Sequence, residues 1–253
     1  MNEFGVDTSF GSLLDQSAVD DLEFFIHRIG TLGTLYSGTT AYYNKTLTPD
    51  TGCRPNITLV QSTNNKPAGV YFFSYAWNNE SAQVEANKVC DILDSWSFDP
   101  RLGVFLDWEN TGSGTGSYEN LINIGITPTT ALLQGFFKAW CDQVRARGYQ
   151  PGFYTSQYIA GTYLTDAWIQ TQRAADNWFW LAQWNVAQPD YDCDLWQYYA
   201  GPSGLGVTWH GITVDYDRCM DDRVLHGHGK LPIWLQLYIA NRGDKNGKCA
   251  LLL

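Results

Sequence analysis

No run of 18 or more apolar residues occurs in this 253-residue chain, which argues against a membrane-spanning helix. Basic residues are scarce: 16 Lys and Arg stand against 26 Asp and Glu, for a formal net charge of −10. That balance disfavours a nucleic-acid surface, where cations must replace the counterions of phosphate. It equally disfavours electrostatic adsorption to anionic lipid. The opening Met-Asn-Glu-Phe-Gly-Val-Asp has no basic segment followed by an apolar one, so no secretory signal is visible. There is no C-x-x-C, no H-E-x-x-H and no G-x-G-x-x-G, so zinc-ribbon, metalloprotease and dinucleotide-binding chemistry lose their usual sequence marks. His226-Gly-His228 near Cys219 lacks a ligand spacing, and no metal or cofactor is expected. The six cysteines allow fifteen full pairings with none singled out; a chain of this length does not need staples, and they read as free thiols.

Aromatic residues are plentiful, with 11 Trp and 15 Tyr. Such rings fill cores, but exposed ones present flat apolar area at little entropic cost and stack well on sugar faces.

Eight strand-like runs punctuate the chain: Phe4–Ser9, Phe24–Ile29, Gly69–Ala76, Leu102–Glu109, Gly152–Ser156, Phe179–Trp184, Leu195–Tyr198 and Ile212–Tyr216. Several are apolar on both parities, as strands covered on both faces are. Helical stretches are predicted over Leu13–Glu23, Ile57–Thr63, Ser81–Trp96 (capped by Ser81, with a stripe of Val84, Val89, Ile92 and Leu93), Pro128–Arg147 and Gly161–Asp176. The gaps Asn185–Asp194 and Tyr199–Gly211 are rich in Pro, Gly and Asp and read as loops. Five β/α units followed by three strands without helices define an α/β fold, a modified TIM-like (β/α)5(β)3 barrel. The barrel is expected to occupy residues 1–222, followed by a tail, 223–253, of unassigned role. Gly30–Pro55 shows no period and is read as a long loop. Gly112-Ser-Gly-Thr-Gly-Ser117 is read as a loop beside the barrel rim with no helix opening directly after it.

The fourth run ends Phe105-Leu106-Asp107-Trp108-Glu109. In a strand, residues two apart share a face, so Asp107 and Glu109 point the same way. Two like charges raise the cost of ionising both, and one tends to keep a proton. A proton donor beside an anion is what glycosidic cleavage needs. An isolated D-x-E is more often a solvated turn. Here Asp7 lies near the end of the first run and Asp215 near the end of the eighth, and these runs become neighbours when a barrel closes. Three strands thus bring carboxylates to the rim where barrel active sites sit.

Taken in order, Phe-Gly-Val-Asp-Thr-Ser, Gly-Val-Tyr-Phe-Phe-Ser-Tyr-Ala, Phe-Leu-Asp-Trp-Glu, Gly-Phe-Tyr-Thr-Ser, Trp-Leu-Ala-Gln-Trp, Leu-Trp-Gln-Tyr and Gly-Ile-Thr-Val-Asp-Tyr-Asp resemble the motifs of glycoside hydrolase family 25, over roughly residues 4–220. These are lysozymes of the N-acetylmuramidase type. The resemblance implies a flattened (β/α)5(β)3 barrel. It implies retaining cleavage of the β-1,4 bond between N-acetylmuramic acid and N-acetylglucosamine in bacterial peptidoglycan glycan strands. Glu109 matches the general acid/base, Asp107 its D-x-E partner, expected to be anionic, and Asp7 and Asp215 the other acidic positions of the groove. A raised pKa is expected for Glu109. Tyr75, Tyr154 and Tyr198 lie in shared motifs and, with Trp184 and Gln197, are candidate sugar contacts. An endolysin- or autolysin-like role is implied: synthesis in the cytoplasm and action on the cell wall after release.

Two rivals remain. One is a sugar-binding protein on the same fold that has lost catalysis. The other is a chitin-type glycosidase of family 18, whose D-x-x-D-x-D-x-E is absent: the positions read Arg101-Leu-Gly-Val-Phe-Leu-Asp107-Trp-Glu109.

Overall fold

The computed structural model describes residues 3–33, 39–63, 65–112, 114–202, 204 and 206–225. The expected tail, His226 and His228 included, lies outside the described residues apart from its first few positions. Nine strands form the sheet: β1 (Glu3–Thr8), β2 (Phe24–Thr31), β3 (Ala68–Phe73), β4 (Gly103–Asp107), β5 (Pro151–Ser156), β6 (Trp178–Ala182), β7 (Leu195–Tyr199), β8 (Val207–Trp209) and β9 (Ile212–Cys219). The helices are α1 (Gln16–Asp20), α2 (Thr39–Tyr43), α3 (Cys53–Ser62), α4 (Asn79–Trp96), α5 (Ser117–Asn123), α6 (Thr130–Ala146), α7 (Gln157–Ile159), α8 (Asp166–Ala174) and α9 (Asp222–Leu225), with a π-helical turn at Ala160–Leu164.

Strands β1 to β7 pair in sequence order and in parallel. β9 runs antiparallel to both β7 and β1 and closes the barrel. The expected (β/α)5(β)3 barrel is therefore present. Two features differ from the sequence reading. Part of the Tyr199–Gly211 stretch is strand: β8 pairs with β9 as a hairpin outside the closed ring. The eighth barrel strand is also reversed, so Asp215 stands in its first half, not near its end. It reaches the rim because the start of an antiparallel strand lies beside the ends of its parallel neighbours; Asp215 is the register partner of Asp7.

The barrel interior is a packed core. Phe24, Ile26, Leu102, Phe105, Tyr154, Trp178, Trp180 and Leu195 fill it from the floor upward. Rings of this size fit because facing positions are glycine. A Cβ on Gly5 would meet the Phe24 ring at 2.4 Å, and one on Gly152 the Phe105 ring at 2.4 Å. Val224 of α9 is buried in the same cluster. A second, larger apolar layer lies between barrel and helices, with Trp108, Phe136, Phe137, Trp140 and Phe153 among its members.

α4 begins two residues before its expected start. Asn78, not Ser81, is the N-cap: its side chain accepts from the Ser81 backbone N–H, and the Ser81 hydroxyl accepts from the Asn78 backbone N–H at 3.1 Å. This reciprocal capping box satisfies two otherwise orphaned donors. Asn78→Ala is expected to cost about 1 kcal/mol, read by urea denaturation. The buried stripe of α4 is Ala82, Ala86, Val89, Cys90 and Leu93, with Val84 and Ile92 half-buried beside it. Glu85 shares that buried face. It accepts from the Tyr42 and Ser74 hydroxyls and the Tyr75 backbone N–H, and so pins the loop after β3.

The Gly30–Pro55 stretch holds α2 and the first turn of α3. The glycine run after Glu109 ends in a helix, contrary to expectation: Gly116 is the N-cap residue of α5. The five described cysteines, Cys53, Cys90, Cys141, Cys193 and Cys219, are buried and unbridged. Among the described residues no helix is long and apolar enough to cross a membrane.

Candidate active site

Inward-facing positions at the top of the barrel carry carboxyls. Asp7 ends the inward row of β1, Asp107 is the last residue of β4, and Asp215 lies opposite Asp7 on β9. Glu109 sits just past β4, so strand alternation does not itself place it beside Asp107. The strand-to-loop crossover does, and backbone bonds fix it. Ser74 N–H donates to Asp107 C=O at 2.9 Å, Trp108 N–H to Tyr154 C=O at 3.2 Å, and Tyr118 N–H to Glu109 C=O at 3.1 Å. Between the two acids, Trp108 points outward into the helix layer and donates from Nε1 to Ala76 C=O at 3.1 Å.

A fifth carboxyl, Asp217, is fully buried one layer down and accepts from Trp180 Nε1 at 2.9 Å. Sequence reasoning missed it. The signal was present in Asp215-Tyr-Asp217, since residues two apart on a strand share a face.

Gln197 of β7 ties the acids together. Its Nε2 donates to Asp7 Oδ2 at 2.8 Å and lies 3.4 Å from Asp215 Oδ2. Its Oε1 accepts from Tyr154 Oη at 3.0 Å and Trp184 Nε1 at 3.1 Å. The Tyr154 hydroxyl is also 3.5 Å from Glu109 Oε2, a long contact. Gln197, Tyr154 and Trp184 thus stand in one network with the acids. Tyr75 is set apart: it is buried, and its hydroxyl donates to Thr115 C=O at 3.0 Å. Tyr198 packs against Trp196 and Tyr216, with the Arg218 guanidinium over its ring at 4.5 Å.

Burial dominates the electrostatics. Removal from water pushes the Glu109 carboxyl up to about 7, with Asp7 adding to it. The same cause raises Asp7 to about 6 and Asp215 to about 8. Asp107 is pushed well above the carboxylate range by burial and then by Glu109 and Asp7. Asp217 is raised likewise by burial and by Asp7. The expectation of a raised Glu109 matches these surroundings. An anionic Asp107 does not: its Oδ1 is buried without a hydrogen-bond donor. In the ligand-free protein the cluster holds several protons at neutral pH and titrates as a unit. Arg28, on β2, is the cation that pulls Asp107 back down.

These shifts fix a stability profile. Between about pH 6.5 and 8 the native protein keeps a proton on Asp215, and up to about pH 7 also on Glu109 and Glu85 (the last likewise raised to about 7 by burial), that the unfolded chain has released. Stability therefore falls as pH rises through that window. Below it, buried His27, pushed down to about 4, acts in the opposite sense: the unfolded chain takes up its proton first. The melting temperature is expected to drop from pH 6.5 to 8, and Asp215→Asn to flatten the drop. A level profile in the parent protein contradicts this account.

Two clefts meet at Gly204 over the cluster. One, of about 460 Å³, is lined by Glu109, Asn110, Ser156, Tyr158, Gln183 and Trp184 among others. The other, of about 450 Å³, is lined by Asp7, Phe10, Tyr71, Thr213 and Asp215 among others. Each is of ligand-binding size. Among the described residues no group of His, Cys, Asp and Glu is arranged to hold a metal ion.

A barrel of seven parallel strands closed by an antiparallel eighth, with paired clefts and clustered, protonatable carboxyls at one rim, has the form of a glycoside hydrolase. The family model for glycosyl hydrolases family 25 matches residues 40–207, and the chain belongs to that family. The matched span contains Asp107 and Glu109 but neither Asp7 nor Asp215. The autolysin LytC from Streptococcus pneumoniae, solved with a synthetic peptidoglycan ligand, superimposes with a TM-score of 0.61 at 19% identity, covering 86% of this chain and 46% of that one. The chain thus spans less than half the length of LytC. The CTP1L endolysin gives 0.59 at 15% identity, over 88% of this chain and 68% of that one. The catalytic domain of endolysin ply40 from bacteriophage P40 of Listeria monocytogenes gives 0.55 at 17% identity, over 89% and 96%. A search of curated proteins returns no match.

Proposed function

We propose that the chain is a peptidoglycan hydrolase that cleaves the β-1,4 bond between N-acetylmuramic acid and N-acetylglucosamine with retention of configuration. The observation that carries this reading is Glu109: a carboxyl protonated near neutral pH, on a cleft wall, beside further carboxyls at one rim. Family membership and the peptidoglycan ligand of LytC support the substrate class.

In the first step Glu109 donates its proton to the glycosidic oxygen as the C1–O bond breaks, and the leaving sugar departs as an alcohol. Positive charge develops at C1. That charge lowers the cost of ionising Asp107, so the acid held neutral in the free protein becomes the anion facing the oxocarbenium-like centre. Its proton passes to solvent through the open cleft. Asp7 and Asp215, oriented by Gln197, complete the polar wall. A carboxylate or the substrate's own N-acetyl oxygen captures C1 on the face opposite the leaving group. In the second step the Glu109 carboxylate takes a proton from water, whose oxygen displaces that group from C1, so the configuration is retained; Asp107 takes a proton back from solvent and both acids are restored. Trp184, Tyr154, Gln197, Tyr75 and Tyr198 are the proposed sugar-side residues, Trp184 being 39% exposed in the cleft beside Glu109. We place the catalytic unit within residues 1–222. No cofactor enters the proposal, and the protein is taken to act on the cell wall after release.

Digestion of purified peptidoglycan, followed by reduction and mass spectrometry of the fragments, tests the bond. Reduced muramic acid at the new ends supports the proposal. Reduced glucosamine ends assign the other glycosidic bond, and absence of released fragments overturns it.

A further inference from the structure

Phe10 lies three residues beyond Asp7 and lines the cleft shared by Asp7 and Asp215. It is 66% exposed, an uncommon setting for a phenyl ring on a cleft wall. Its backbone adopts φ +63°, a left-handed conformation that non-glycine residues rarely take. Exposure and backbone strain both weigh against this arrangement, yet the surroundings enforce it. The Phe10 N–H donates to Asp50 Oδ2 at 2.8 Å, and its C=O accepts from Gly52 N–H at 3.0 Å. Gly52 permits that approach, because a Cβ there would stand 2.9 Å from the Phe10 carbonyl oxygen and 2.5 Å from that of Ser12. Asp50 also pairs with Arg28 at 2.8 Å, and the Arg28 guanidinium sits 4.0 Å from the centre of the Phe10 ring. One acid thus fixes both the backbone of the ring and the cation beneath it.

A ring with one face covered by a guanidinium and the rest open to a cleft is pre-organised for a flat, apolar ligand surface. The C–H face of a pyranose is such a surface. We propose that Phe10 is a sugar-stacking platform that binds a hexosamine of the glycan strand on the Asp7 side of the cleavage site and thereby sets the preference for extended strands. The inference rests on the glycan-hydrolase reading above. Phe10 lies outside the span matched by the family model. Because the ring acts on binding and not on the reacting atoms, its loss weakens KM more than kcat.

The test is steady-state cleavage of a peptidoglycan tetrasaccharide and of a longer strand by the parent protein and by Phe10→Ala, Phe10→Trp and Phe10→Gly. Stacking contributions of about 0.5–1.5 kcal/mol correspond to roughly 2- to 13-fold. Phe10→Ala and Phe10→Gly are expected to raise KM for the longer strand by a factor in that range, with kcat changed far less. Phe10→Trp is expected to retain the parent KM. Phe10→Gly relieves the strained φ, so its melting temperature is expected to match or exceed the parent's. An unchanged KM in Phe10→Ala overturns the proposal while leaving the hydrolase reading intact. A fall in melting temperature of Phe10→Gly with parallel loss of kcat assigns the ring a structural role instead. Absence of turnover in the parent protein overturns both readings together.

Discussion

Glu109→Gln is expected to lower kcat for peptidoglycan cleavage by about 10²- to 10⁴-fold, the contribution typical of a positioned acid or base, while tetrasaccharide binding survives. Gln matches Glu in shape and hydrogen-bonds in the same cleft, but its amide has no acidic proton to give the leaving oxygen. Stability should not suffer. Glu109 is held protonated by burial and by Asp7, so removing the ionisable group removes a cost that the native state carries above pH 7. The pair of results matters: release of fragments measures the chemistry, and the melting temperature at pH 8 reports the fold. Loss of both together would mean a damaged barrel, and full activity in the variant would remove Glu109 from the mechanism.

Asp107→Asn is expected to cost about 10²- to 10³-fold in kcat, the range seen when a preorganised electrostatic partner of the transition state is removed. Asp107 is a buried rim acid, with one oxygen lacking any donor. Such an oxygen is poorly solvated when charged and is therefore responsive to a cation arriving at C1. Asn presents a neutral group in the same place and cannot answer that charge. KM should move little, since the neutral ground-state sugar gains little from an anion there. The discriminating measurement is a kcat/KM profile from pH 5 to 9 on a soluble tetrasaccharide. Asp107 keeps its proton while Glu109 titrates, so the neutral Asn should leave the Glu109 limb in place and lower the whole profile. A full kcat in the variant would exclude Asp107 from transition-state stabilisation.

Much of this site was legible in the chain because strands impose a two-residue period that composition can reveal. Leu102–Glu109 announced both its burial and its acids. Asp7 and Asp215 were placed at the rim by counting strands, although Asp215 arrived there for a different reason. Strand direction leaves no mark on a short apolar run, so the reversal of β9 was invisible, and with it the register that sets Asp215 against Asp7. Asp217 shows the converse: its period was readable, but a second acid on one strand looks like a solvated end until Trp180 and the barrel wall enclose it. Glu85 was hidden because a carboxylate on a helix is ordinarily read as solvent-facing, and only Tyr42 and Ser74, distant in sequence, make burial tolerable. Phe10 had no sequence signal at all. Its exposure depends on Asp50, forty residues away.

The reversed closing strand also decides how this barrel connects to anything joined to it. Glu3 is the register partner of Cys219, and α9 follows directly, burying Val224 in the interior core at the end of the barrel away from the rim. The first and last described strands therefore enter and leave side by side at the floor. A peptide bridging those two points, with new ends opened in a surface loop that lines neither cleft, such as residues 125–128, would yield a circular permutant whose catalytic mouth keeps its geometry. For the same reason, cargo fused next to either of those points hangs beneath the barrel and leaves the groove clear for a long polymer to cross.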